Sequence, residues 1–213
     1  MPGKPSYRAP SPVCHFTPTP NFSSLGKIMK LADRILQRWR IRKVRPYLQP
    51  GARVLDIGSV DGVLFSQVSG LAPDCLGIDP TLASRVETER FVLLPGFFPK
   101  DMPAVRPFDA ITLLAVLEHF PETECAAVAA GCARFLVPGG LLLITVPAPA
   151  VDTILKWLKA MRLIEGMSLE EHHGYKISQT AQIFADPPFE LVQHTRFQLG
   201  LNHLFVFRRR VDQ

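Results

Sequence analysis

Apolar and polar positions change their period along the chain. Between Leu25 and Trp39, apolar residues recur at 25, 28, 29, 32, 35, 36 and 39, with Lys27, Lys30, Arg34 and Arg38 on the other side. That spacing predicts an amphipathic helix in segment 24–48, capped by Ser24 and ending before the Pro46 to Pro50 region. From residue 51 the period gives way to short apolar runs at 53–57, 75–79, 91–94, 110–114 and 141–146. Helical stretches are expected at Val63 to Gly70 and Glu122 to Phe135, and a turn at Pro138-Gly139-Gly140. Short apolar runs separated by crossover-length segments predict parallel strands covered on both faces. Near the C-terminus, Glu190 to Thr195 and Leu204 to Phe207 read as an antiparallel hairpin joined through Gly200 and Asn202.

Composition narrows the class. The 213 residues are 47% hydrophobic and 20% charged, which suits one folded domain with a full core. Six prolines fall within residues 1–20 without any apolar period, so 1–23 is expected to be a flexible tail. The four cysteines contain no C-x-x-C pair, so neither a disulfide framework nor a metal site is indicated. No apolar run approaches the roughly 18–20 residues of a membrane span, and the N-terminus has proline and charge instead of a leader's apolar stretch. The expectation is a cytoplasmic protein. Its charge is uneven: residues 1–50 hold ten Lys and Arg against Asp33 alone, whereas 51–213 hold 14 against 18 acids. The basic segment suggests a nucleic-acid or anionic-membrane contact, and a solvated helix face is the plainer reading.

Candidate chemistry lies in the first strand and its turn, Val54-Leu-Asp-Ile-Gly58-Ser-Val-Asp-Gly62. In open parallel sheets ligands bind beyond the strand ends at the switch point. Asp79 ends the next strand 23 residues after Asp56, where an acid can accept both hydroxyl protons of a ribose diol. A dinucleotide site would place glycines at positions 60 and 63, and both are valine. Asp56 and Asp61 flank the turn, which disfavours a pyrophosphate and favours a ligand carrying positive charge.

Val54 to Gly62 resembles motif I of the class I, Rossmann-like S-adenosylmethionine-dependent methyltransferases. Ile78-Asp79-Pro80 is similar to their second motif. Phe108 to His119 resembles the fourth-strand motif of the small-molecule, ubiquinone-methyltransferase-like branch, and Leu136 to Val146 the fifth-strand motif. Val60 departs from the usual middle glycine, and Gly96-Phe97-Phe98 replaces the acid that many relatives offer the adenine. The resemblance implies an α/β fold: a seven-stranded, mostly parallel sheet with helices on both faces and an antiparallel C-terminal strand. It also implies S-adenosylmethionine as cofactor, S-adenosylhomocysteine as product and no metal.

Carried across, the resemblance puts Asp56 and Gly58 at the methionine portion, with the amide of Gly58 or Ser59 close by. Asp61 flanks the turn, and Gly62 leads into a helix whose N-terminus meets the carboxylate. Asp79 holds the ribose, Pro80 lies near the adenine, Phe97 or Phe98 packs on it, and Leu114, Ala115 and Val116 wall the sulfonium. Asp56 or Asp61 capping the helix, and Phe97 and Phe98 as core, are the structural alternatives. The family fixes no general base. His119, His172, His173 and Tyr175 are the candidates, and 148–180 is the expected acceptor-side insertion within a methyltransferase domain of residues 49–213. Val151, Ile154, Leu155, Leu158 and Met161, with Trp157 and Met167, favour a partly hydrophobic small-molecule acceptor. The alternatives are an RNA or protein methyltransferase docking through the basic helix, or a non-catalytic binding protein.

Overall fold

Alternation within the short apolar runs decides how the layers stack. The computed structural model describes residues 31–148, 177–184 and 188–211. Strand β1 (Val54–Ile57) is buried at every position, as a central strand covered on both faces must be. Leu55 and Ile57 point into one hydrophobic cluster, and Val54 points into the other. Strands β2 (Cys75–Asp79), β4 (Phe91–Pro95), β5 (Phe108–Leu114) and β6 (Leu136–Pro147) continue the parallel part. β7 (Phe189–Phe197) and β8 (Asn202–Arg209) form the expected hairpin, and β8 pairs antiparallel with β6.

The described residues form an eight-stranded sheet in the order β3-β4-β2-β1-β5-β6-β8-β7. The strand beyond the expected seven is β3 (Val86–Glu87), which pairs antiparallel with β4 at the edge. Two residues are too few to show a period in the sequence. The order reverses between β1 and β5, so the switch point lies where β1, β2 and β5 end.

Helix α1 (Leu31–Val44) continues into a 3-10 turn, Arg45–Tyr47. Its apolar period does not mark its packed face. Ile41, Val44 and Leu48 are buried against β1 and α2 residues, while Ile35 and Trp39 stay 43% and 52% exposed. The inward face begins with polar anchors: Gln37 Nε2 donates to both Asp61 carboxylate oxygens at 3.3 and 3.4 Å, and Arg40 Nε donates to Asn202 Oδ1 at 3.3 Å.

Helix α2 (Val63–Gln67) is shorter than the expected run to Gly70. The chain is pulled back towards β1, because Gly51 donates to the Gly70 carbonyl and Ala72 to that of Ala52. Helix α3 (Glu122–Phe135) leads straight into β6. Pro138-Gly139-Gly140 lies inside that strand as a bulge rather than a turn. Phe108 pairs with Leu136 and Ala110 with Leu141, so β6 advances five residues where β5 advances two. Helix α4 (Ile177–Ile183) sits on the α3 side.

Candidate active site

Three chain turns meet at the switch point. After β1 the chain reverses at Gly58, with φ 82°. A Cβ there would overlap the Val116 side chain, so glycine allows the turn after β1 to close against the turn after β5. Gly62, with φ 64°, is similarly pressed on the Phe91 ring. On the β5 side, Ala115 has φ 59° while its amide donates to Thr145 O at 2.9 Å. A non-glycine residue in that region carries strain, and such residues cluster at functional sites.

Asp56 and Asp79 are 7% and 6% exposed, so both carboxyl groups sit almost out of solvent. Asp56 Oδ1 accepts the Thr112 hydroxyl at 2.6 Å across the β1–β5 pair. Burial pushes the Asp56 pKa up to about 7 against the opposing hydrogen bond from Thr112, and the charges of Asp61 and Asp79 add to the rise. The Ser59 hydroxyl is close enough to favour the Asp56 anion, yet it is buried without completing a hydrogen bond. Asp79 Oδ1 accepts the Thr81 amide at 2.7 Å and also the Thr81 hydroxyl. Among the described residues no donor reaches Asp79 Oδ2.

Other expected residues have structural duties. Asp61 Oδ1 accepts the Val63 amide at 3.1 Å, the capping arrangement foreseen as its alternative, and also holds Gln37. The Gly58 and Ser59 amides both donate to Ile78 O, at 2.9 and 3.4 Å. Both amides thereby fasten the turn to the end of β2. Phe98 is core: it is 5% exposed and its ring centroid lies 6.1 Å from that of Phe135. Phe97 is 62% exposed, and Pro80 is exposed beside Asp79. Leu114, Ala115 and Val116 are half-buried in the turn after β5.

His119 ends a 3-10 turn, Leu117–His119, and is exposed. His172, His173 and Tyr175 lie outside the described residues. The preceding residue, Glu118, is 3% exposed and lines a cavity of about 730 Å³ beyond β5. Phe120 and Cys125 line it from the α3 side, and Gln179, Gln182 and Ile183 from α4. That size suits a small organic molecule. Motif reading passed over Thr112, and it favoured a plain helix start over a catalytic base for Glu118-His119. Thr112 had a visible signal, since a hydroxyl in the otherwise apolar strand Ala110 to Leu114 needs a partner. What the structure adds for Glu118 is its burial on the cavity wall. Among the described residues, no group of three or more His, Cys, Asp and Glu is arranged to hold a metal.

The donor set suits a cationic nucleoside. It offers two buried carboxyl groups at neighbouring strand ends and, beside Asp56, a buried Ser59 hydroxyl without a completed hydrogen bond. Comparison with known proteins decides the family: residues 28–194 match the family model described as a methyltransferase domain. The chain is a member of the class I S-adenosylmethionine-dependent methyltransferases. A ubiquinone biosynthesis O-methyltransferase of Xanthomonas campestris pv. campestris is 33% identical over 109 residues, covering 45% of this chain and 43% of that relative. The Rhizobium etli protein of the same name is 25% identical over 204 residues, covering 83% and 81%. The S-adenosylhomocysteine-bound magnesium protoporphyrin IX methyltransferase of Synechocystis superposes with a TM-score of 0.57 at 16% identity, covering 85% of this chain and 88% of that one. This methyltransferase therefore shares its fold with cofactor-binding relatives, while its alignment with the Xanthomonas protein spans less than half of that relative's length. Among its described residues, no helix is long and apolar enough to cross a membrane.

Proposed function

We propose that this methyltransferase moves a methyl group from S-adenosylmethionine to a small, partly hydrophobic acceptor seated in the cavity between α3 and α4. The observation carrying the reading is the pair of buried acids, Asp56 and Asp79, at the ends of β1 and β2. Such acids are costly to bury unless something positive or hydrogen-bond-donating meets them. Asp79 is assigned the ribose diol and Asp56 the ammonium end, with Ser59 supplying a further polar contact. Phe97, already in solvent, is assigned the adenine face in place of Phe98.

The cofactor supplies an electrophilic methyl group on a sulfonium, whose carbon–sulfur electron pair returns to sulfur as the acceptor's lone pair bonds to carbon. The protein's task is then mainly alignment and exclusion of water. Ala115 and Val116 are assigned the wall near the sulfonium, and Phe120 and Ile183 supply an apolar side of the cavity. Glu118 is assigned the acceptor side, where it receives the acceptor's proton or positions its nucleophile.

Calorimetry with S-adenosylhomocysteine and, separately, NAD tests the cofactor assignment. Binding of the former and silence with the latter is the expected result; the reverse overturns the reading. Incubation of cell extract with a donor labelled in its methyl group then tests the acceptor class, with label expected in small apolar molecules rather than in RNA or protein.

A further inference from the structure

The outer face of α1 is unlike an ordinary solvated helix face. Ile35 and Trp39, one turn apart, are 43% and 52% exposed, and Arg38 and Arg42 are exposed beside them. The opposite side, with Gln37, Ile41 and Val44, is the one fastened to the body. In the sequence, apolar residues precede Ile35 at 32, 28 and 25, in alternating steps of three and four, with Lys27 and Lys30 among them. Ten Lys and Arg against one acid fall in residues 1–50, while the rest of the chain is net negative.

We infer that this face is a docking surface for an anionic lipid bilayer, with Trp39 and Ile35 entering the headgroup boundary and Arg38 and Arg42 meeting lipid phosphates. Charge complementarity selects this occupant. A second copy would bring like-charged faces together. A nucleic-acid backbone satisfies the arginines but gains nothing from an aliphatic side chain. An interfacial helix combines this set of features: an apolar stripe, a tryptophan and flanking cations. The arrangement also has a positional consequence. Gln37 grips Asp61 from the inner side of the same helix, so a docked α1 holds the turn after β1 beside the membrane.

Sedimentation with vesicles tests this on the full chain. Vesicles of phosphatidylcholine with about a third phosphatidylglycerol should bind it at least about tenfold more tightly than phosphatidylcholine alone, and added salt should weaken the binding. The double variant Ile35→Ser with Trp39→Ser keeps every charge, and Arg38→Glu with Arg42→Glu keeps the apolar pair. Each should lose about tenfold or more in affinity for the anionic vesicles. All four positions are exposed, and unchanged thermal melts confirm that the variants are folded. The inference is overturned if the wild-type chain ignores anionic vesicles, or if the serine variant binds them undiminished. It is equally overturned if the serine variant's main effect is to abolish a dimer seen in sedimentation velocity, or if RNA binds more tightly than the vesicles and does so independently of Ile35 and Trp39. None of these readouts depends on methyl transfer, so the proposed reaction stands or falls separately.

Discussion

Asp56 carries the electrostatic tension of the site. Its carboxyl is held at a pKa of about 7, chiefly by burial, against an ordinary value of 3.8. Between those pH values the folded chain keeps a proton that the unfolded chain has lost. Stability therefore falls as pH rises through this window, and the deficit is complete above pH 7. Asp56→Asn keeps the Thr112 partnership and removes the ionisation. It should stabilise the protein at pH 8 by about 2–4 kcal/mol and have little effect near pH 4, read by denaturant titration at both. The same variant should lose cofactor affinity, and wild-type affinity for S-adenosylhomocysteine should strengthen as pH rises through 7. Asp79→Ala removes a charged acceptor of two hydroxyl donors and should weaken binding by about 3 kcal/mol, measured by calorimetry. Glu118→Gln should instead leave cofactor binding intact and lower kcat by about a hundredfold.

At the scale of elements, β1 and β5 are locked at the end opposite the site by Arg53. Its side chain is 7% exposed, donates to Asp74 at 2.7 Å and to the Arg106 and Pro107 carbonyls, and lies 3.9 Å from the Phe108 ring centroid. Its backbone amide donates to Asp109 Oδ2 at 2.8 Å. Arg53→Ala should cost about 3 kcal/mol in chemical denaturation, since two carbonyls lose their donor and the Phe108 ring its cover, while Asp74 keeps Arg106. The strands were legible because parallel strands buried on both faces leave short, mostly apolar runs such as Val54 to Ile57 and Leu141 to Val146. The acids at their ends were legible because Asp56 and Asp79 interrupt those runs. Less legible was anything set by a distant partner: the α1 face anchored through Asp61 and Asn202, the bulge in β6, and the burial of Phe98 rather than Phe97. Adjacent phenylalanines look alike until the fold decides which one turns inward.

At the scale of the whole molecule, the thiols report on integrity. Burial pushes Cys75 up to about 11 and raises Cys132 too; it also raises Cys125, where Glu122 and Glu124 add to the effect. These three should react slowly with a thiol reagent at pH 8 and become reactive together in denaturant, in the same transition seen by circular dichroism. Beyond the paired strands β1 and β5, the turns that follow them touch where Gly58 faces the Val116 side chain. On the proposed reading, that contact ties the cofactor side of the site to the acceptor cavity. Bulk added at position 58 would shove Val116 and, through the short helical turn behind it, Glu118. A lineage that retunes what it methylates by remodelling the loop after β5 must therefore do so without disturbing the hinge-pin on which its donor rests, so the two specificities can drift only in step.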